Sequence, residues 1–256
     1  MSHSRFGLIG HPIAHSLSPA LFKAGYEGRY PYELIEGEDF EESYRKFLEE
    51  YDGINVTAPF KELAFAKADI LSPECEAVGA TNLLVKTPQG VKAFNSDFLG
   101  VKMWLEEVAA DVLTEKISVL IVGLGGAGKA AAAAAESLGM KVVRMNRTVR
   151  DERTRPLEDF KKCFKEADII IYNIPTTIPA LNELTDQDFT PGKPKFILEA
   201  NYKNPSFSHE ILTKMLRANP LARYTGGKTW LLYQAVTGYE IFTGEKPDLE
   251  RMSDVL

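Results

Sequence analysis

The sequence predicts an α/β protein of two domains, and three observations predict it. Apolar strand-like runs alternate with amphipathic helical patterns nearly throughout, the pattern of a mostly parallel sheet covered by helices. A glycine-rich turn near the middle of the chain opens a second series of the same alternation. A closing helical segment rich in large apolar residues follows that second series.

The first series has predicted strands at Phe6–Gly10, Tyr32–Ile35, Gly53–Val56, Asn82–Val85 and Val91–Phe94. Pro88-Gln89-Gly90 is a turn signal, so the last two strands form a hairpin. Phe40, Tyr44, Phe47, Leu48 and Tyr51 recur at helical spacing and predict a helix over Phe40–Tyr51. A helix over Leu99–Val108 leads to the second series, with strands at Val119–Val122, Val142–Met145, Ile169–Tyr172 and Phe196–Leu198. The closing helix is predicted over Thr229–Phe242, and its position does not say which domain it joins. A domain boundary falls near Gly100.

Composition narrows the function classes. The chain has 256 residues, 45% hydrophobic and 26% charged, enough for one large core or two smaller ones. No apolar run approaches the roughly 20 residues that span a bilayer. The amino terminus has neither the apolar length nor the cleavage site of a signal peptide, so cytoplasmic residence and no membrane partner are expected. A net charge of -6 argues against a nucleic-acid partner, whose phosphates are held by clustered Lys and Arg. The two cysteines, Cys75 and Cys163, lack a metal-binding spacing, and Cys163 reads as a structural thiol in a helix. His3, His11, His15 and His209 form no metal-ligand pair, and His11 and His15 read as structural. No metal is expected.

Val119 to Gly128 reads as a strand followed by GxGxxG and a helix, the context a dinucleotide fingerprint requires. Gly123, Gly125, Gly126, Ala127 and Gly128 would turn tightly and let a pyrophosphate approach the helix amino terminus. The alanine run Ala130–Ala135 lets that helix lie close to the sheet. An NAD-binding version carries an acid at the end of the next strand, on the ribose 2′-hydroxyl. Here Asn146-Arg147-Thr148 stands there with Arg144 and Arg150 nearby, and guanidinium groups suit a 2′-phosphate. NADP(H) is therefore expected over NAD. Arg144, Arg153 and Arg155 read more readily than Arg147 as solvated surface arginines.

In the first series, Ser18-Pro19 is a helix start, with Ser18 as N-cap and Pro19 at the first helical position. Ser16, Ser18 and free amides would converge there, a seat for a carboxylate, although for Ser18 taken alone a plain structural cap is the readier reading. Pro59 marks the next helix and places Lys61 in its first turn, where the helix dipole disfavours a cation. That inconsistency points to function, against the ordinary reading of a surface lysine. Asp97 is either the cap of the Leu99–Val108 helix or a partner for Lys61, and spacing does not choose.

Ser16–Pro19, NVTxPxK at Asn55–Lys61, Gly79–Asn82, Asn95–Asp97, the glycine loop, Asn146–Thr148, Tyr202 and Gly227 through Gln234 occur in one collinear order. The chain thereby resembles the shikimate dehydrogenase family over nearly its whole length. The resemblance implies an N-terminal α/β substrate domain of residues 1–99 plus 226–256 and a Rossmann-type NADP-binding domain of 100–225. Its C-terminal helices return to the substrate domain. It implies NADPH-dependent reduction of 3-dehydroshikimate to shikimate, a step toward chorismate and the aromatic amino acids, by a monomer or homodimer. Lys61 and Asp97 match the catalytic pair, and Ser16 and Ser18 the carboxylate site. Asn55, Thr57, Asn82, Tyr202 and Gln234 match contacts to the ring hydroxyls or the carboxylate. Asn146, Arg147, Thr148, Arg150 and Gly227 join the cofactor site. Departures from the family pattern are Leu21-Phe22-Lys23 in place of a His-Asn, Leu83, Phe98, Glu199, Trp230 and the weakened Asn173-Ile174-Pro175. They leave the catalytic pair intact and bear on the choice between shikimate and quinate. The alternatives are a quinate/shikimate dehydrogenase of broader substrate or NAD use, and a non-catalytic ligand sensor.

Overall fold

The structure, a computed structural model, describes residues 4–111, 116–149 and 151–256. It divides into two compact units, Met1–Gly100 with Leu232–Leu256, and Val101–Leu231.

The first unit holds β1 (Phe6–Gly10), β2 (Tyr32–Glu36), β3 (Gly53–Val56), β4 (Ile70–Leu71), β5 (Leu83–Thr87) and β6 (Gly90–Phe94). They form one sheet in the order β2-β1-β3-β5-β6-β4. β1 runs parallel to β2 and β3, whereas β5 runs antiparallel to β3 and β6, so the sheet is mixed. The expected hairpin is present, with Thr87 opposite Gly90 and Gly90 at φ +122°. All five residues of β1 are buried because both faces are covered. Phe6 points to the helices Ser18–Gly25 and Gly227–Thr243, stacking on Phe242 at 5.0 Å. Ile9, on the other face, packs with Phe40 and Phe47 of the helix Phe40–Glu50.

The second unit holds β7 (Ser118–Val122), β8 (Lys141–Met145), β9 (Thr154–Arg155), β10 (Ile169–Tyr172), β11 (Lys195–Glu199) and β12 (Ala222–Thr225). All pair in parallel, in the order β12-β11-β10-β7-β8-β9. The chain runs one way from β7 through β8 and β9, then returns to build β10 to β12 on the other side. The order reverses at β7, the topology of a doubly wound dinucleotide-binding sheet.

β4, β9, β12 and the helix Pro73–Val78 are elements the periodicity did not predict. The second division falls at Leu232, inside the helix Gly227–Thr243, rather than at 226. A Cβ on Gly227 would lie 2.4 Å from the Ala200 carbonyl oxygen, so the first turn of that helix is packed against the end of β11. Among the described residues no helix is long and apolar enough to cross a membrane.

Lys195, at the start of β11, is buried. Its Nζ donates to the carbonyls of Phe164 at 2.7 Å, Ala167 at 2.6 Å and Lys165 at 3.4 Å. These lie at the end of the helix Phe160–Glu166, where carbonyls lack helical partners. Burial pushes the amine down from 10.5 to about 8. Between those values the folded state binds fewer protons on this group than the unfolded chain, so its contribution to stability grows as pH rises. The unfolding free energy of the wild type relative to Lys195→Met is expected to climb by up to about 3 kcal/mol across that interval. Urea titrations at successive pH values measure it, and a flat difference contradicts it.

Candidate functional site

Strand pairing decides which loops meet. Ile9 lies opposite Val56, Asn55 opposite Leu83, and Leu83 opposite Phe94. The ends of β1, β3 and β6 and the start of β5 therefore share one edge of the first sheet. The segments 11–18, 57–61, 79–82 and 95–97 gather there.

At that edge Thr57 accepts a backbone bond from Phe60 at 3.0 Å, and the chain turns into the helix Lys61–Lys67. Phe60 is the N-cap and offers no side-chain acceptor; the helix begins at Lys61 rather than at Pro59, and Lys61 lies in its first turn as expected. The next helix begins at Ser96, three residues before the expected Leu99. Its cap is Asn95, whose Oδ1 accepts from the Phe98 N–H at 3.0 Å, and not Asp97. Asp97 is thereby left to pair: Lys61 Nζ donates to its Oδ2 at 2.6 Å across 36 residues of sequence. The side chains retain 29% and 14% of their exposure, enough shelter to hold the pair and enough opening to meet a ligand.

Around the pair stand neutral groups. Asn82 is buried and bonds Ser96 at both ends of its amide, Nδ2 to Oγ at 3.0 Å and Oδ1 from N at 2.7 Å. It thus ties the start of β5 to the helix that bears Asp97. Asn55 is half-buried at the end of β3, and Thr57 is half-buried against Gly10. Ser16 Oγ donates to Ser18 Oγ at 3.2 Å and accepts from the Ser18 N–H at 3.2 Å. Leu17, not Ser18, occupies the N-cap of the helix Ser18–Gly25, so the expected cap role passes to the Ser16 hydroxyl. Gln234 is half-buried in the Gly227–Thr243 helix, and its backbone nitrogen would lie 2.5 Å from a Cβ on Gly100.

His11 lies beside Glu36 and Glu38, at 3.8 and 3.5 Å. Cys163 is half-buried with its thiol pushed up by burial, and burial raises the Cys75 thiol to about 11. Among the described residues no group of three or more metal-ligating side chains gathers.

In the second unit the glycine loop has distinct physical reasons at each position. Gly123 has φ +90°, a region that favours glycine. A Cβ on Gly128 would lie 1.9 Å from the Gly123 carbonyl oxygen, so nothing larger fits. Gly125 and Gly126 face open space, and Gly125 caps the helix Gly126–Ser137 without a side chain. Its first amide donors are therefore free to face an anion. Beside the loop, Asn173 Oδ1 is buried without a partner, an acceptor suited to a ligand hydroxyl or amide. At the end of β8, Arg144 pairs back onto Glu136. Arg147 and Thr148 are exposed, and Arg147 has no ion-pair partner among the described residues. Asn146 Nδ2 donates to the Thr148 carbonyl at 3.3 Å, shaping that turn. Arg150 lies outside the described residues. These features fit a dinucleotide bearing a 2′-phosphate.

Glu199, a departure from the family pattern, has a clear structural task. Buried at the end of β11, it accepts from the backbone of Ser206 and from Phe207 N–H at 3.3 Å and Tyr224 hydroxyl at 2.7 Å. The segment it closes carries Tyr202, half-buried beneath Lys203. Burial and the carboxylate together raise the Tyr224 phenol well above its usual range. Leu83, Phe98 and Trp230 are buried, so those departures lie in packed surroundings.

Two family models match successive parts of the chain. Residues 8–84 match the family model for the shikimate dehydrogenase substrate binding domain. Residues 82–224 match that for the NAD binding domain of D-isomer specific 2-hydroxyacid dehydrogenases. A shikimate dehydrogenase (NADP(+)) of Caldanaerobacter subterraneus is 32% identical over 94% of this chain and 91% of its own. One from Carboxydothermus hydrogenoformans is 28% identical over 98% of this chain and 95% of its own. The crystal structure of shikimate 5-dehydrogenase from Thermus thermophilus, in complex with NADP(H) and shikimate, superimposes with a TM-score of 0.79 at 26% identity. That match covers 98% of each chain.

Proposed function

The chain belongs to the shikimate dehydrogenase family, and on that premise we propose that it interconverts 3-dehydroshikimate and shikimate with NADP(H). The observation that carries the reading is the Lys61–Asp97 bond of 2.6 Å, set among neutral donors and acceptors. A polyhydroxylated anionic ring needs many neutral partners and few charges, and Ser16, Ser18, Asn55, Thr57, Asn82 and Gln234 of the first unit are such groups; Tyr202 of the second matches a family contact by sequence.

The two serine hydroxyls take the ring carboxylate. The amides of Asn55 and Asn82, with Thr57, Tyr202 and Gln234, take ring hydroxyls or the carboxylate. Lys61 places an N–H at the ring ketone and gives it a proton as the oxygen becomes an alkoxide. Asp97 holds the ammonium in line and restrains its rotation. A bound nicotinamide would supply the hydride, and Gly123 through Gly128, with Asn146, Arg147, Thr148 and Arg150, are the residues that would hold the cofactor. Gly227, matched to the family's cofactor site, begins its helix packed against the backbone of Ala200.

Initial rates of shikimate oxidation with NADP and with NAD, and of quinate oxidation in parallel, test the reading. Turnover of shikimate with NADP in preference to the other combinations is expected. Faster turnover of quinate, or none with either acid, defeats it. Arg147 is expected to set the cofactor choice through a charge-assisted contact to the 2′-phosphate. Arg147→Ala should raise KM for NADP by roughly 10- to 100-fold and leave that for NAD within about twofold. An equal change for both cofactors excludes the assignment.

A further inference from the structure

Beyond the residues given roles above, Tyr32 is half-buried and brings its phenol to Asn55. β2 and β3 flank β1, with Tyr32 opposite Phe6 and Asn55 opposite Leu8, so both side chains lie on the same face of the sheet. The Tyr32 hydroxyl donates to Asn55 Oδ1 at 2.7 Å. Asn55 Nδ2 donates in turn to the Asn82 carbonyl at 3.4 Å. A backbone carbonyl only accepts, so the amide nitrogen must face Asn82 and the amide oxygen must face the phenol. The two bonds together exclude the flipped amide. One Nδ2 hydrogen and one Oδ1 lone pair are left over on a half-buried side chain.

We propose that Tyr32 is a positioning residue for substrate, locking the Asn55 amide so that its spare N–H meets an oxygen of a hydroxylated ring acid. The inference rests on the reading of Asn55 as a ring contact. The phenol reaches Asn55 from the start of β2. Its ring lies 4.8 Å from that of Phe22 and 6.0 Å from that of Tyr239. Removing only the hydroxyl leaves this packing in place.

The test is a double-mutant cycle of Tyr32→Phe and Asn55→Ala, with KM for shikimate, KM for NADP, kcat and thermal midpoint measured for all four proteins. Tyr32→Phe is expected to raise KM for shikimate roughly tenfold, the worth of one hydrogen bond at the upper end of its range. KM for NADP and the thermal midpoint stay near wild type, and kcat changes less than KM. In the Asn55→Ala background the further change to Phe has little effect on KM for shikimate. An unchanged KM in Tyr32→Phe, an undiminished effect in the Asn55→Ala background, or a lowered midpoint without a KM change overturns the proposal. If Asn55→Ala itself leaves KM for shikimate unaltered, the assignment of Asn55 fails as well. The two failures are thus distinguishable.

Discussion

Lys61→Ala loses about 10²- to 10⁴-fold in kcat, with a smaller change in KM for shikimate. That range is the worth of a positioned proton donor at a reacting oxygen. The lysine reaches Asp97 from the first position of its helix, so truncation removes the donor without disturbing a core side chain. Its side chain is part-exposed, and the thermal midpoint should therefore move little. Steady-state kinetics with shikimate and NADP, together with a melting curve, measure both quantities. Turnover within a few fold of wild type removes Lys61 from the chemistry. Asp97→Asn keeps the shape and removes the charge, and it should fall between the two proteins in kcat.

The glycine loop gives the second large effect, through a contrast between neighbours. At Gly128 an added methyl would lie 1.9 Å from a backbone oxygen, and backbone on both sides prevents either from yielding. Gly128→Ala is expected to cost about 1–3 kcal/mol of stability, as overpacking does, and to weaken NADPH binding more than roughly tenfold. At Gly126 the methyl would meet nothing within 4 Å. Gly126→Ala should keep or slightly raise the melting temperature, because alanine is the better helix former. It should still weaken NADPH binding, because the methyl occupies the space through which a pyrophosphate approaches. Fluorescence titration with NADPH beside thermal unfolding separates the two. Unchanged NADPH binding in Gly126→Ala contradicts the placement of the cofactor on this loop.

The long regular elements were legible because burial on both faces or one face leaves a period in the sequence. β1, β3 and β10 begin and end at the residues the pattern indicated. β4 and β9 have two residues each, too few to show a period, and exist because β6 and β8 offer them a neighbour. β12 has Arg223 exposed in its interior, as an outer strand allows, and its alternation is too short to notice. At the site, the motif positions were readable but their division of labour was not. Asn95 and Asp97 both suit a helix start, and only the fold shows that Asn95 takes the cap and releases Asp97 for Lys61. Serine at 18 was a good cap by composition, yet the hydroxyl two residues earlier accepts its amide. Tyr32 and Glu199 lie in strands where a large or acidic residue carries no periodic signal, so their partners 23 and 25 residues away were invisible.

The first unit is assembled from both ends of the chain, and synthesis order gives that a consequence. While a ribosome is still making the middle of the protein, Phe6 and Phe22 have emerged without Phe242 and Tyr239, the rings that lie against them in the finished fold. The second unit is continuous and needs nothing later than Leu231 to close its own core. The second unit can therefore close its core while the tail of the first is still being made. The half bearing Lys61 and Asp97 is completed only when its tail arrives.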